Sequence, residues 1–373
     1  KTWMKIIQYM IIKRMQEEKY QKLQGTYPVI FISFATIKGA DYQDARDGII
    51  MAINEAYSEH RYLLEWNGLT EGERRCFEEL DNYTKNPGMK EPVANDTICN
   101  AVKNLSNCLY RYYEKKVLIL LDEYDTPMQE AYLYEYWEEF IAFIRNFFNA
   151  TFKTNPYLER SVITGCLRIS KESIFTGLNN LETDSVLHTR YGDVFGFTQE
   201  EVEAMLAYYN LNEQIEEVKK WYDGYLFNNF EIYNPWSILK YVNDRKDHVT
   251  QFPLPYWSNT SSNSIVHEMV EDADEDARRD LETLMDSGTI EKIVHEEITY
   301  ADIHKSQDNL WNFLFFTGYL KKVGERTVAN NLWLEMKIPN IEVATIYENS
   351  ISYWFEQRMK ETDRSPLVRA LET

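Results

Sequence analysis

Several common sequence features are scarce or absent in this chain of 373 residues. It has four cysteines, none in a Cys-x-x-Cys pair, which is too few for the disulfide framework of a secreted protein of this size. No apolar run approaches the roughly 20 residues that a membrane-spanning helix needs. The apolar stretch at 3–15 is interrupted by Lys and Arg, and no small-residue cleavage site follows it. We therefore expect a soluble, cytoplasmic protein without a membrane partner.

Three catalytic signatures are also missing. His267-Glu268 and His295-Glu296 begin like the zinc motif His-Glu-x-x-His but lack the second His, so zinc hydrolysis is not expected. No Gly-x-Ser-x-Gly elbow of a serine hydrolase occurs. The loop Gly-x-x-x-x-Gly-Lys-Ser/Thr, whose backbone N–H groups cradle nucleotide phosphates, is not found among the 14 glycines.

The net charge of −20 argues against a general binder of nucleic acids or anionic membranes.

The most informative stretch is KVLILLDEYD at 116–125. Its unbroken run of Val, Leu and Ile predicts a strand buried on both faces, as in a parallel sheet. Ligands of such sheets bind beyond the carboxyl ends of the strands, where Asp122 and Glu123 would lie. The first carboxylate could hold Mg²⁺ through water, and the second could orient or deprotonate a water that attacks a nucleotide phosphate. This is the Walker B arrangement, and it predicts ATP and Mg²⁺ as ligands; the alternative is a strand that ends in solvated acids.

Helices and strands alternate along the first half of the chain. The predicted elements are, in order, a strand at 29–34, a helix at 44–64, short helices and loops at 67–92, a helix at 98–113, the strand at 117–122, a helix at 134–152 and a strand at 160–165. This order predicts a doubly wound α/β core, with 194–198 as its last strand. Because the glycine loop is absent, we expect that an upstream strand, the loop and a helix are missing from this chain.

The pattern changes near residue 205, and we divide the chain into domains at 1–205 and 206–373. Helical segments dominate the second domain. At the junction, Thr198 followed three residues later by Glu201 predicts a capping box at the start of a helix.

Near the end of the chain, an apolar helix at 307–316 is followed by a hairpin with strands at 319–323 and 331–338, an order typical of a winged-helix unit. For this unit we expect three aromatic residues to be buried and three cations to be exposed. Trp311, Phe315 and Phe316 should pack this unit against the α/β core, and Lys321, Lys322 and Arg326 should be exposed on the hairpin.

Eight ordered motifs resemble those of one family. They are YPVI (27–30), LLDEYDTP (120–127), TGCLRISKESIFTGLNN (164–180), FGFTQEEV (195–202), WYDGY (221–225), YNPWSIL (233–239), TGYL (317–320) and IPNIEV (338–343). The chain is similar to the bacterial AAA-ATPase-like family, P-loop ATPases related to the archaeal and STAND types. The resemblance implies an α/β ATPase core of the P-loop NTPase type followed by a mostly helical, winged-helix-like region. Members commonly begin with a P-loop segment and often continue into a PD-(D/E)xK nuclease-like domain, and neither is found in this sequence.

The resemblance also implies roles for individual residues. Asp122 would be the Mg²⁺ ligand and Glu123 the catalytic base, while Asp125 matches a family acid that we place with the cofactor-binding residues. Thr164 would be a sensor of the attacking water or of the γ-phosphate, or else it satisfies its own turn. Arg168 would be an arginine sensor or finger, or else it forms a salt bridge with one of the many acids.

Two functions follow as hypotheses. The first is an ATPase module that is inactive alone because its glycine loop is absent, with ATP, Mg²⁺ and a protein partner, or its own missing terminal segments, as ligands. The alternative is a module that binds protein or nucleic acid and carries a vestigial nucleotide site. Nucleic acid is the less favoured partner because of the acidic charge.

Overall fold

The structure, a computed structural model, describes most of the chain. The described residues are 18–85, 93–166, 181–188, 190–193, 195–227, 230–247, 252–257, 266, 274–296 and 307–361. They divide into two compact units, one drawn from residues up to 182 and the other from residue 183 onward. Within these ranges, no helix combines the length and the apolar character needed to cross a lipid bilayer.

The first unit is built on a three-stranded parallel sheet. Its strands are β1 (Val29–Ser33), β2 (Val117–Asp122) and β3 (Leu158–Ile163), in the order β1-β2-β3. Strand β2 is central, and within the described part of the chain β3 pairs only with β2. The α/β class predicted from the alternating pattern is confirmed.

The described part of the first unit contains six α-helices besides these strands. They are α1 (Glu18–Gln21), α2 (Tyr42–Glu59), α3 (Glu71–Lys85), α4 (Asn95–Tyr113), α5 (Thr126–Leu133) and α6 (Trp137–Phe148). A 3₁₀ turn, Arg61–Glu65, follows α2, and a π-helical turn, Asn149–Lys153, follows α6. Helices α2 and α4 contact β1 and β2.

Helix α3 differs from the short helices and loops predicted between residues 67 and 92. It is a continuous helix of 15 residues, and it buries Cys76, Phe77, Leu80 and Tyr83. Their positions i, i+1, i+4 and i+7 form one helical stripe. Only four of the 15 residues belong to this stripe, and many of the others are charged. The apolar periodicity of a helix is therefore present in this part of the sequence, but it is weak.

The two faces of the parallel sheet differ in burial. Ile30, Ile119 and Leu121 lie on a buried face, whereas Leu120 on the opposite face is 37% exposed. Leu120 lies between Phe31 and Val162 in the strand register, and these two side chains are 47% and 54% exposed. The prediction that β2 is buried on both faces is therefore wrong for the described part of the chain, which leaves a row of apolar side chains uncovered.

The second unit begins with a small antiparallel sheet. Its strands are β4 (Phe197–Thr198), β5 (Tyr225–Phe227) and β6 (Phe230–Tyr233), in the order β4-β6-β5. The segment predicted as the last strand of the parallel core, 194–198, thus contributes its two described strand residues to a different sheet. It pairs antiparallel with β6, with Phe197 opposite Tyr233 and Thr198 opposite Ile232.

Three helices accompany this sheet, namely α7 (Gln199–Tyr208), α8 (Ile215–Tyr222) and α9 (Pro235–Lys246). The capping box predicted for α7 is confirmed. The Thr198 hydroxyl accepts from the Glu201 N–H at 3.4 Å, and the Glu201 carboxylate accepts from the Thr198 N–H at 3.0 Å. Asn234 caps α9 in a simpler way, accepting from the Trp236 N–H at 3.0 Å.

A second antiparallel sheet closes the unit, with the order β7-β9-β8. The elements of this region are α10 (Glu275–Met285), β7 (Ile290–Val294), α11 (Gln307–Phe316), β8 (Lys321–Val328), β9 (Asn331–Lys337) and α12 (Ile341–Glu361). Trp311 and Phe315 are buried in the core of this unit, and Phe316 packs against that core.

The three hairpin cations are not a shared exposed patch. Lys322 is 8% exposed because it lies opposite the fully buried Met336 in the β8–β9 register, and its ammonium reaches Glu325 at 2.9 Å. Arg326 is exposed, as predicted, but forms a two-bond ion pair with Glu291 at 2.7 Å. The expectation that all three cations are exposed is wrong for Lys322, which is buried, and Lys321 is only partly exposed.

Candidate functional site

Asp122 ends the central strand of the parallel sheet. It lies opposite Ser33 of β1 in the strand register, and its carbonyl accepts from the Phe34 N–H at 2.9 Å. Side chains alternate between the faces of a strand, so Asp122 shares a face with Leu120. The carboxylate therefore lies at the carboxyl edge of the sheet, on the same side as the uncovered apolar row.

Thr164 meets Asp122 from the neighbouring strand. The residue follows β3 directly, and its N–H donates to the Leu121 carbonyl at 2.9 Å while its own carbonyl accepts from the Tyr124 N–H at 2.9 Å. These two bonds continue the parallel ladder one step beyond the strand. They direct the Thr164 hydroxyl at Asp122, where it donates to Oδ1 at 2.6 Å, so one carboxylate oxygen is held in a fixed position.

Glu123 leaves the sheet in an unusual backbone conformation. Its φ of 51° lies in the left-handed region, which non-glycine residues rarely adopt. Its side chain is exposed, and the Thr126 hydroxyl donates to its Oε2 at 3.2 Å. Strained backbone of this kind is concentrated at functional sites, where it aims a side chain in a particular direction. Here it turns the Glu123 carboxylate out to solvent beside Asp122.

Asp125 is placed differently from the other two acids. It is 2% exposed and precedes α5, whose Met128 and Gln129 N–H groups both donate to its carbonyl at 3.0 Å. Gly165 packs against it so closely that a Cβ there would lie 2.5 Å from Asp125 Oδ1. Asp125 is therefore part of the buried support beneath the site and does not share the open position of Glu123.

The electrostatic effect of the three acids is visible at Cys166. Desolvation by surrounding protein atoms, together with the charges of Asp125, Glu123 and Asp122, raises the pKa of this thiol to about 12. The same negative potential favours a cation. Among the described residues, no group of three or more His, Cys, Asp and Glu side chains forms a ready-made metal cluster. A cation here would thus depend on Asp122 together with ligands that the described side chains do not supply.

Arg168 and Ser33 differ in how the sequence and the structure describe them. Arg168 lies outside the described residues. Ser33, which the sequence did not single out, ends β1 beside Asp122, and its hydroxyl accepts from the Ala35 N–H at 3.3 Å. The signal that could have identified it is the one used for Asp122, a polar residue at the end of an apolar strand.

Two comparisons with known proteins give a match. Residues 7–175 match the model of a family described as predicted AAA-ATPase. Over 230 residues the chain is 24% identical to an uncharacterized protein in the vnfD 5′ region of Azotobacter chroococcum mcd 1, a match that covers 61% of this chain and 41% of that relative. The chain thus spans about two fifths of the length of this curated relative. No solved structure matches it significantly.

Proposed function

We propose that the chain carries the catalytic edge of an ATPase module, because residues 7–175 match the model of the predicted AAA-ATPase family. The observation that carries the proposal is the Asp122 carboxylate at the end of the central parallel strand, fixed by the Thr164 hydroxyl at 2.6 Å. Open parallel sheets bind their ligands at this edge. The family match supports ATP as the proposed ligand.

The acids of the site fit magnesium better than other metals. Mg²⁺ is commonly held by one or two carboxylates, several waters and substrate phosphates, and not by a cage of protein side chains. In the proposal Asp122 is the protein's contribution to the magnesium site, and the bound ion would supply charge neutralisation at the phosphates.

We assign the base to Glu123. Its carboxylate is exposed, adjacent to Asp122 in sequence, and turned outward by the left-handed backbone. A water bound between this carboxylate and the terminal phosphate could lose its proton to Glu123 as it attacks. The bond to the Thr126 hydroxyl would limit the rotamers of Glu123 and so help to hold that water in line.

Thr164 and Arg168 complete the proposed machinery. The Thr164 hydroxyl donates to Asp122 in the present arrangement, and we propose that it senses a phosphate or the attacking water when nucleotide is bound. Arg168 follows four residues later in sequence and is proposed to neutralise charge that develops on the phosphate. The proposal for Asp125 is more limited: it supports the loop that carries Glu123.

We further propose that a strand and a glycine loop outside this sequence complete the nucleotide site. Two observations on the described residues support this. Strand β3 has a partner on one side only, and Phe31, Leu120 and Val162 form an apolar row without cover. A further parallel strand at the β3 edge would bring its own carboxyl end, and hence a phosphate-binding loop, beside Thr164. The helix that follows such a loop could cover the apolar row on the face of the sheet.

The test compares this chain with a longer natural gene product that includes a glycine loop. Calorimetry with ATP and Mg²⁺ should give weak binding to the 373-residue chain and turnover only by the longer protein. In the longer protein, Glu123→Gln should abolish hydrolysis and spare ATP binding. The matched control is Glu135→Gln, because Glu135 is also exposed and also has a left-handed backbone, with φ 61°. Turnover that survives Glu123→Gln would remove Glu123 as the base, and low-micromolar ATP binding by the short chain would contradict the need for the loop.

The second candidate function is a binding module. Helix α11 and strands β7 to β9 have the element types of a winged helix, which we propose as the recognition unit. A protein partner is favoured over DNA, because Lys322 and Arg326 are already paired with Glu325 and Glu291. Anisotropy with duplex DNA at physiological salt should show no sub-micromolar binding. Such binding, if it weakened with rising salt, would reverse the order of the partners.

A further inference from the structure

The second unit contains a cavity of about 350 Å³ that the proposed ATPase chemistry does not use. Its volume lies at the lower end of the range for small-molecule sites. The walls are largely aromatic and come from different parts of the unit, including Phe195, Tyr225, Trp257, Phe315 and Phe316, and Lys321 adds a charged group to them. Walls of this composition suit a ligand that has an aromatic ring or another apolar group.

Among the described residues, Lys321 has no carboxylate within ion-pair distance. Its ammonium forms no ion pair or hydrogen bond among the described residues. It also lies opposite Lys337 in the β8–β9 register. Burial, and then the like charge of Lys337, lowers the pKa of Lys321. Two opposed cations on neighbouring strands repel one another, so a bound anion between them would relieve this repulsion.

The position of the Lys321 ammonium is fixed by the turn beside it. A Cβ on Gly224 would lie 2.8 Å from Lys321 Nζ, and the φ of Gly224 is 121°. The glycine thus leaves the space that the ammonium occupies. Asp223, the preceding residue, attracts Lys321, but burial and the charge of Glu231 raise the pKa of Asp223, and it forms no ion pair with the lysine.

Lys322, the next residue of β8, provides the contrast. It is also among the lining residues of the cavity, but neighbouring side chains of a strand point to opposite faces, and the Lys322 ammonium pairs with Glu325 at 2.9 Å. Within the part of the chain that the structure describes, Lys322 therefore has an anionic partner and Lys321 has none.

We propose that this cavity binds an organic carboxylate with an aromatic or apolar body, whose charge is neutralised by Lys321. A carboxylate accepts a charge-assisted hydrogen bond from an ammonium, and such bonds are stronger in surroundings of low polarity. The aromatic walls bury the body of the ligand. The carboxylate could belong to a free small molecule or to the C-terminus of a polypeptide, and both present the same chemistry. The inference is independent of the ATPase proposal, since it concerns residues of the second unit alone.

The test is calorimetric titration of the full chain with two pairs of probes. The first pair is 2-naphthoate and its neutral analogue 2-naphthalenemethanol, and the second is acetyl-Gly-Phe with a free carboxylate and its C-terminal amide. We expect a carboxylate to bind more tightly than its neutral partner. Binding confined to 2-naphthoate assigns a free small molecule, whereas tighter binding of the peptide acid assigns a polypeptide terminus.

Variants of the two lysines show whether the charge of Lys321 is responsible. Lys321→Met should weaken binding of the carboxylate by at least about tenfold and leave the neutral probe unchanged. Lys322→Met, the matched control, should change carboxylate binding by less than about threefold, because its charge is already paired. Thermal unfolding checks that each variant is folded, and Lys321→Gln replaces Lys321→Met if that protein is not. The proposal is overturned if neither acid binds, if the neutral probes bind as tightly, or if the Lys321 variant binds like the wild type.

Discussion

The buried carboxyl of Glu342 should make the stability of the protein depend on pH. Glu342 is fully buried at the start of α12, where its carboxylate accepts from the Ser237 hydroxyl at 2.7 Å and the Trp257 N–H at 2.8 Å. Burial outweighs these bonds and raises the pKa of Glu342 from its ordinary 4.5 to about 7. Between these two values the folded carboxyl holds a proton that the unfolded chain has released. Folding is therefore favoured at the acid end of this window and loses free energy as pH rises through it.

The magnitude follows from the two pKa values. One pKa unit corresponds to about 1.36 kcal/mol, so the unfolding free energy should fall by about 2 kcal/mol between pH 5.5 and pH 8 because of this group. Glu342→Gln removes the titration and keeps the shape, since an amide can accept from Trp257 and donate to Ser237. The variant should gain about 2 kcal/mol relative to the wild type across the same interval.

The assay is urea unfolding of both proteins at closely spaced pH values. Glu348→Gln is the matched control, because Glu348 is an exposed acid of the same helix. It should leave the pH profile unchanged. A difference between wild type and Glu342→Gln that stays constant within about 0.5 kcal/mol from pH 5.5 to pH 8 would refute the reasoning.

Two local substitutions test contacts described above. Thr198→Ala removes the capping side chain of α7 and should cost about 1 kcal/mol in urea unfolding, whereas Thr198→Ser should cost much less; equal losses would show that the cap hydroxyl contributes nothing. Gly165→Ala places a Cβ 2.5 Å from both Asp125 and the Tyr124 ring, and should cost about 1 to 3 kcal/mol. Gly72→Ala, where no atom lies within 4 Å of the added Cβ, is the control for it, and an unchanged midpoint for Gly165→Ala would contradict the close packing beneath the site.

The parallel strands and the meeting of Asp122 with Thr164 could be expected from the sequence. Both residues follow short apolar runs, and parallel strands end at the same edge of a sheet. The pairing of these two side chains then depends only on β2 and β3 being neighbours. The left-handed backbone of Glu123 could not be expected in this way, because a glutamate gives no local signal for positive φ.

Strands β5 and β6 were missed for a physical reason. They contain three and four residues, which is too short for a clear alternation of apolar and polar side chains. The buried state of Lys322 was missed because a lysine beside another lysine indicates a solvated surface, whereas the strand register turns this one toward Met336. In both cases the outcome depends on pairing between strands, which no single segment encodes.

The uncovered side of the parallel sheet also affects how the protein behaves in solution. An apolar row next to a strand edge that has one partner within the described residues is the kind of surface through which identical chains associate. At neutral pH the charge of −20 opposes such encounters. That repulsion disappears near the sequence pI of about 4.8, which sets an acid limit for any titration of this chain. The surplus of acidic residues thus prevents aggregation, because repulsion between the negatively charged chains keeps their uncovered sheets from meeting.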